Sequence, residues 1–210
     1  MRSCPDGRAW GKPLVHRRFA VLGFASVRRV SVVGNSGSGK STLARKLAAT
    51  LGVPHLELDS VFHQPGWEAL PSDEFKRVVA ARADEDGWVI DGNYGTVRPV
   101  VWARADTVVW LDLPRRTVMR QVTWRTVRRA LTREELWNGN REPVANFFRW
   151  DPEESVISWA WHRHGEYRDR YAAAAKDPAN AHLTFIRLRS HRDIDRFLAD
   201  PLRLAADSGG

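Results

Sequence analysis

The sequence predicts an α/β fold in which a five-stranded parallel sheet lies between two layers of helices. Three observations lead to this prediction. The length of 210 residues suits one domain, short β-branched runs alternate with helical stretches from Arg29 onward, and a glycine-rich turn joins the first strand to the first helix. Because strands that alternate with helices run parallel and bury both faces of their sheet, we expect helices on both sides.

The first half of the domain contains two predicted strands and two predicted helices. Residues 30–33 form an apolar run that predicts the first strand, and the helix Lys40–Leu51 follows with leucines at every fourth position on one face. Residues 55–59 are predicted as the second strand. Ser72 is predicted as the N-cap of a helix that ends near residue 84, because acidic residues occupy its first turn.

The second half contains three further strands, predicted over residues 88–91, 107–112 and 183–188. Pro114 suits the first position of a helix whose apolar face includes Val118 and Val122. A long helix is predicted from about residue 153 to 175 and a short one over residues 193–198. The segment of about 133–150 contains Asn-Gly-Asn and is predicted as a loop or flap.

Composition and charge restrict the class of protein. The chain is 43% hydrophobic and 28% charged, which is typical of a globular protein and unlike disordered, collagenous or coiled-coil chains. The net charge is +8, and residues 1–29 carry +6 of it. Because residues 1–26 show no clear periodicity, we expect a poorly ordered basic extension over residues 1–27, with a signal peptide as the weaker alternative, and a folded domain over 28–205. Without a long apolar run and with Cys4 alone, a cytoplasmic protein with no membrane partner is expected.

A phosphate-binding motif follows the first strand. It matches the pattern G-x-x-x-x-G-K-[ST] without mismatch, as Gly34, Asn35, Ser36, Gly37, Ser38, Gly39, Lys40 and Ser41. Its glycines let backbone amides face phosphate oxygens, and the following helix adds its positive N-terminus. We expect Lys40 to neutralise the β- and γ-phosphates, Ser41 to bind Mg²⁺ and Thr42 to contact the α-phosphate. The alternative is a glycine-rich turn that only caps a helix.

Carboxylates end three of the predicted strands, where ligands of α/β sheets bind. Asp91 is predicted to orient Mg²⁺ and its waters, with a structural cap of the following turn as the alternative. Asp59 is predicted either as a general base toward an acceptor hydroxyl or as an outer partner of the metal. Asp112 precedes Pro114 and is interpreted mainly as a residue that fixes a turn.

Four segments together resemble the adenylate-kinase-related P-loop proteins that are often labelled topology modulation proteins; these segments are residues 34–41, 56–63, 88–94 and 105–112. The resemblance runs from about residue 28 to 200 and implies a nucleoside-kinase-like three-layer fold, an acceptor region after strands two and three, and a lid over about 115–150. It also implies that the loop containing Arg189 lies over adenine. Asn93-Tyr94-Gly95 replaces the F-P-R of nucleoside monophosphate kinases, which argues against an AMP-type acceptor.

The helix after the fourth strand is rich in arginine. Residues 114–133 contain seven arginines and no acid, and such a density of like charge is favourable opposite an anion such as triphosphate. Arg120, Arg125 and Arg128 are the candidate phosphate contacts. A solvated basic face is the alternative, and nucleic acid phosphate is another possible partner.

The acceptor is expected to lie near loops that follow strands two and three. His63, Trp67, Tyr94 and Arg98 are the candidates there, and Arg98 suits an anionic or hydroxylated acceptor. His63 and Trp67 have structural interpretations as a hydrogen-bonded residue and a loop anchor.

The sequence therefore predicts a small kinase, monomeric or homodimeric, that transfers the γ-phosphate of MgATP to a nucleotide or small hydroxylated metabolite. No guanine-specific motif is present, so ATP is the expected nucleotide. The alternatives are a nucleic-acid-associated P-loop ATPase or regulator, and an ATP-binding protein without transfer activity.

Overall fold

The structure is a computed structural model that describes residues 27–132, 135–140 and 156–201. All strand pairs of the sheet are parallel, and the spatial order of the strands is β2-β3-β1-β4-β5. The predicted α/β class with a five-stranded parallel sheet is confirmed. The strands are β1 (Arg29–Gly34), β2 (His55–Glu57), β3 (Trp88–Asp91), β4 (Thr107–Leu111) and β5 (Thr184–Leu188).

Seven α-helices connect and cover these strands in the part of the chain that the structure describes: α1 (Lys40–Leu51), α2 (Leu58–Phe62), α3 (Ser72–Ala83), α4 (Arg98–Trp102), α5 (Arg115–Thr132), α6 (Val156–Ala174) and α7 (His191–Ala199). None of them is long and apolar enough to cross a membrane. Two short helices, α2 and α4, were not predicted. Both are five residues long, too short for a helical period to show in the sequence.

Three boundary predictions are wrong. The second strand ends at Glu57 because α2 begins at Leu58, so Asp59 lies in a helical turn and not at a strand end. Pro71 occupies the N-cap of α3, and Ser72 is already its first helical residue without a side-chain cap bond. Helix α7 begins earlier than predicted, at His191, because the Ser190 hydroxyl accepts a hydrogen bond from the backbone N–H of Asp193.

The core has two layers because successive strand residues point to opposite faces of the sheet. Val30 and Val32 of β1 pack on the side covered by α1 and α7, together with apolar residues such as Leu43 and Phe197. Trp88 and Ile90 of β3, with Val108 and Trp110 of β4, pack on the side covered by α3, α4 and α6. Both layers are buried, which is why these strands are almost continuously apolar.

The order of the strands fixes where a ligand can bind. Strand β1 lies at the centre, and the chain leaves it toward β2 and β3 on one side and β4 and β5 on the other. The loop after β1 therefore opens at the switch point of the sheet, where crevices form. Helices α5 and α6 pack against each other after β4. Of the predicted lid over about 115–150, the structure describes α5 and residues 135–140, and the predicted extension of residues 1–27 lies almost wholly outside the described residues.

Candidate active site

The loop between β1 and α1 has the backbone that the phosphate-binding motif requires. Gly37 and Gly39 have φ angles of +78° and +92°, in the left-handed region that favours glycine. Gly39 is the N-cap of α1 and provides no side-chain cap, and the first turn of α1, which contains Thr42, has no acidic residue. The first N–H groups of the helix thus have the arrangement that binds an anion at a helix N-terminus.

Lys40 is the first residue of α1, and its side chain extends back to this loop. Its Nζ donates a hydrogen bond to the carbonyl oxygen of Asn35 at 3.0 Å. Burial lowers the pKa of Lys40 below its ordinary value of 10.5, and the Arg125 guanidinium acts in the same direction, while the carboxylates of Asp91 and Asp59 oppose the shift. A partly buried ammonium with a lowered pKa gains from an added anion, so the loop fits a phosphate chain.

Three oxygen-bearing side chains meet at the start of α1. The Ser41 hydroxyl lies 2.8 Å from Glu57 Oε1 and 3.0 Å from Asp91 Oδ1. Glu57 ends β2 and faces Asp91 in register, so the two carboxylates flank the serine from neighbouring strands. Oxygen ligands of this kind suit Mg²⁺, which keeps several waters and needs few protein ligands when phosphates supply the rest. Among the described residues, no group of three or more His, Cys, Asp or Glu is placed to hold a metal by itself.

The structure adds three polar residues that sequence reasoning missed at this edge: Glu57, Asn93 and His55. Asn93 donates from Nδ2 to the carbonyl oxygen of Gly34 at 2.6 Å, and its Oδ1 accepts from the Gly34 N–H at 3.3 Å and from the Tyr171 hydroxyl at 2.9 Å. This asparagine fastens the start of the phosphate loop to the loop after β3. In the sequence, the signal for this role is that Asn93 directly follows Asp91-Gly92 at the end of β3.

The predicted acceptor residues separate into two groups. Tyr94 and Arg98 line a small cavity of about 10 Å³ beside β3, together with Asn93, Trp102 and Tyr171. That volume holds about one water molecule, so the cavity marks where polar groups converge and does not by itself contain a metabolite.

Asp59 is joined to the residues of this cavity through Tyr94. The Tyr94 hydroxyl donates to Asp59 Oδ1 at 2.7 Å, and burial together with the negative charge of Asp59 raises the pKa of Tyr94 strongly. The Arg98 guanidinium lies 5.6 Å from the centre of the Trp102 ring. A carboxylate, a phenol and a guanidinium thus lie on the β2–β3 side of the phosphate loop.

His63 and Trp67 lie in a different cluster. Their rings contact each other at 5.3 Å between centroids, and the ring of His63 stacks on Trp137 at 5.9 Å. Asn140 strengthens this contact, because its side chain accepts from the Trp67 N–H at 3.1 Å and donates to the carbonyl oxygen of Gln64 at 2.8 Å. Residues 135–140, called the clasp below, therefore dock on the loop after α2.

The candidate arginines of α5 point in different directions. Arg125 lies on the same side of the helix as Val122, whose side chain packs over Gly37, and it is close enough to Lys40 to lower its pKa. Arg129, one turn further, is also partly buried and was not among the candidates. Arg120 and Arg128 are exposed, and Arg120 lies on the side of the helix opposite Val122.

Two other predicted residues lie at the far side of the site. Arg189 is exposed at the end of β5, and its backbone N–H donates to Asp193 at 3.0 Å. Its loop is joined to α5 by the contact between Gln121 and His191. The buried carboxylate of Asp112 accepts a hydrogen bond from Arg187 Nε of β5 at 2.9 Å.

Comparison with known proteins gives kinases as relatives. No protein-family model matches the chain. The chain is similar to the shikimate kinase of Mycobacterium marinum, with 35% identity over 96 residues that cover 39% of this chain and 52% of that protein. The shikimate kinase of Mycobacterium bovis is 34% identical over 111 residues, which cover 46% of this chain and 63% of that protein. The chain thus spans little more than half the length of the curated relatives it matches.

A solved structure agrees with the fold over a longer stretch. Shikimate kinase from Acinetobacter baumannii in complex with shikimate has a TM-score of 0.51 and 17% sequence identity, and the alignment covers 87% of this chain and 94% of that one. At this identity the likeness supports the α/β P-loop kinase fold and no more. None of these relatives carries the topology modulation label.

Proposed function

We propose that this chain is a kinase that transfers the γ-phosphate of MgATP to a hydroxyl group of a small metabolite. One observation carries the proposal. Lys40 follows a glycine-rich loop at a helix N-terminus, and the negative charges of Asp91, Asp59 and Glu57 all lie close enough to act on its pKa. The phosphate loop, the candidate metal ligands and the candidate acceptor base therefore form one electrostatic unit at one edge of the sheet, as phosphoryl transfer requires.

Each of these residues would have its own role in the reaction. The acceptor hydroxyl oxygen bonds to the γ-phosphorus, the bond from phosphorus to the bridging oxygen breaks, ADP leaves, and Asp59 accepts the hydroxyl proton. Lys40 and Arg125 stabilise the charge that spreads over the phosphoryl oxygens. Ser41 and Asp91, with Glu57 beside them, would hold Mg²⁺, which when bound neutralises charge on the β- and γ-phosphates. The exposed Arg120, Arg128 and Arg189 would act only if they turn toward the nucleotide when the lid closes.

The pocket chemistry favours an acceptor that carries both hydroxyl and anionic groups. Asp59 suits the hydroxyl, and Arg98 suits a carboxylate or phosphate. The curated relatives are shikimate kinases, and shikimate is a ring that carries hydroxyl groups and one carboxylate. A hydroxylated carboxylic acid of this kind is therefore the first acceptor class to test.

The proposal is tested by ADP release from MgATP in the presence of single acceptors. The panel contains shikimate, other hydroxylated acids, sugars, nucleosides, nucleoside monophosphates and short DNA. We expect one small hydroxylated acceptor to stimulate ADP release, and Lys40→Met to lower that rate by at least about a hundredfold. Lys46→Met, on the exposed side of the same helix, is the control and keeps the wild-type rate.

Two outcomes would overturn the proposal. Stimulation by DNA alone would favour a nucleic-acid-associated ATPase, an alternative that none of the reported relatives supports. Equal rates for Lys40→Met and the wild-type protein would show that the loop after β1 does not hold the reacting phosphate.

A further inference from the structure

His55 contacts the carboxylate at the end of β3. Its Nε2 lies 2.7 Å from Asp91 Oδ2, and the side chains are 17% and 3% exposed, respectively. The other oxygen of the same carboxylate, Oδ1, accepts from the Ser41 hydroxyl. Each oxygen of Asp91 therefore has its own partner.

Strand register produces this contact. His55 begins β2 opposite Val89, and Glu57 ends the strand opposite Asp91. Because side chains two residues apart share a face of a strand, His55, Glu57 and Asp91 all lie on the face that α1 covers. The histidine and Ser41 thus contact different oxygens of the Asp91 carboxylate.

The contact restricts how the carboxylate can turn. The terminal torsion of an aspartate has a broad energy profile, so the plane of an unsupported Asp91 carboxylate turns with little resistance. Ser41 offers one hydroxyl proton to two carboxylates, Glu57 and Asp91, and cannot fix both of them. A hydrogen bond from His55 to Oδ2 supplies the missing restraint and leaves Oδ1 directed at the serine.

We infer that His55 is a positioning residue that orients Asp91 for Mg²⁺ bound with the nucleotide. The inference rests on the proposed function, because it assigns Asp91 to the metal. Partners that orient the ligands of a metal typically affect its affinity by 10- to 100-fold when they are removed. The inferred role predicts a change in the magnesium requirement while binding of metal-free ATP stays unchanged.

Two amide variants differ in how far the side-chain nitrogen extends toward Asp91, and this difference tests the role of His55. In His55→Gln the side-chain amide nitrogen occupies about the place of Nε2, whereas in His55→Asn it stops at about the place of Nδ1, too far from Asp91 to donate. Both variants keep a polar side chain at this partly buried position. His182→Asn is the control, because His182 Nε2 contacts the carbonyl oxygen of Trp102 away from this site.

The readout is thermal unfolding of the full chain with ATP, first in EDTA and then along a magnesium titration. We expect ATP in EDTA to stabilise all four proteins equally. Magnesium should then raise the unfolding temperature further, and the midpoint is the magnesium concentration that gives half of this additional rise. We expect this midpoint to be about tenfold or more higher in His55→Asn than in wild type, and to stay within about threefold of wild type in His55→Gln and the control.

Equal magnesium midpoints in His55→Asn and wild type would overturn the inference while leaving the proposed function intact. Equal shifts in both His55 variants would also overturn it, since reach would then not matter. Absence of any stabilisation of the wild-type protein by ATP would remove the proposed function, and the inference with it.

Discussion

Adding one methyl group at Gly37 tests how the phosphate loop and α5 fit together. A Cβ at this position would lie 2.6 Å from Val122 Cβ and 3.1 Å from Val122 Cα. Ordinary carbon–carbon contact is about 3.5–4.0 Å, so the overlap is about 1 Å against a helix. The φ angle of +78° adds strain, because left-handed backbone costs a residue with a side chain about 1–2 kcal/mol.

We expect Gly37→Ala to lower the free energy of unfolding by about 2–5 kcal/mol, of which overpacking supplies about 1–3 kcal/mol. Gly39→Ala is the matched control. It has a similar φ of +92°, but its Cβ would have no neighbour within 4 Å, so only the backbone strain of about 1–2 kcal/mol remains. Urea unfolding without nucleotide measures both variants, and their difference isolates the contact with α5.

A second substitution separates this explanation from a general weakness of the loop. The nearest atom is a Cβ, so Val122→Ala leaves the closest contact in place, whereas Val122→Gly removes it and leaves only the contact of 3.1 Å with Cα. Gly37→Ala should therefore cost at least about 1 kcal/mol less in the Val122→Gly background than alone. Equal losses for Gly37→Ala and Gly39→Ala, or no coupling in this cycle, would refute the reasoning.

Three further predictions concern the acceptor side, helix α5 and the clasp. Tyr94→Phe removes the hydroxyl that donates to Asp59 and should cost about 1 kcal/mol. Burial raises the pKa of Tyr94, so above pH 10 the folded state keeps a proton that the unfolded chain releases. The free energy of unfolding of the wild-type protein therefore falls as pH rises above about 10. Urea unfolding at pH 9 to 11 should show a smaller fall in Tyr94→Phe. Arg125→Gln should lower the rate of ADP release about a hundredfold, whereas Arg120→Gln should stay within about twofold of the wild-type rate. Equal rates for the two variants would contradict the conclusion that only Arg125 lies on the side of α5 that faces Lys40. Asn140→Ala removes two hydrogen bonds of a buried side chain, one from the Trp67 N–H and one to the Gln64 carbonyl oxygen, and should lower the urea-derived stability by about 1–3 kcal/mol. A loss below about 0.5 kcal/mol would show that the clasp contributes little.

Local sequence determined the scaffold of this protein. The strands β1, β3 and β4, the helix α1 and the phosphate loop were predicted within a residue or two, because apolar periodicity and glycine-dependent turns act between near neighbours. One strand-end prediction and one helix-cap prediction failed for different reasons. Asp59 fell in α2 because a five-residue helix leaves no periodic signal, and Ser72 lost its cap role to Pro71 because a cap depends on the exact path of the incoming chain.

The tertiary structure decided which polar residues share the site. His55 and Glu57 join Asp91 only because β2 pairs with β3 in one register, and a shift by one residue would turn them to the other face. The rotation of α5 on the phosphate loop brings Arg125 toward Lys40 and leaves Arg120 in solvent. These relations join segments far apart in the chain, and packing sets them, so no local pattern in the sequence records them.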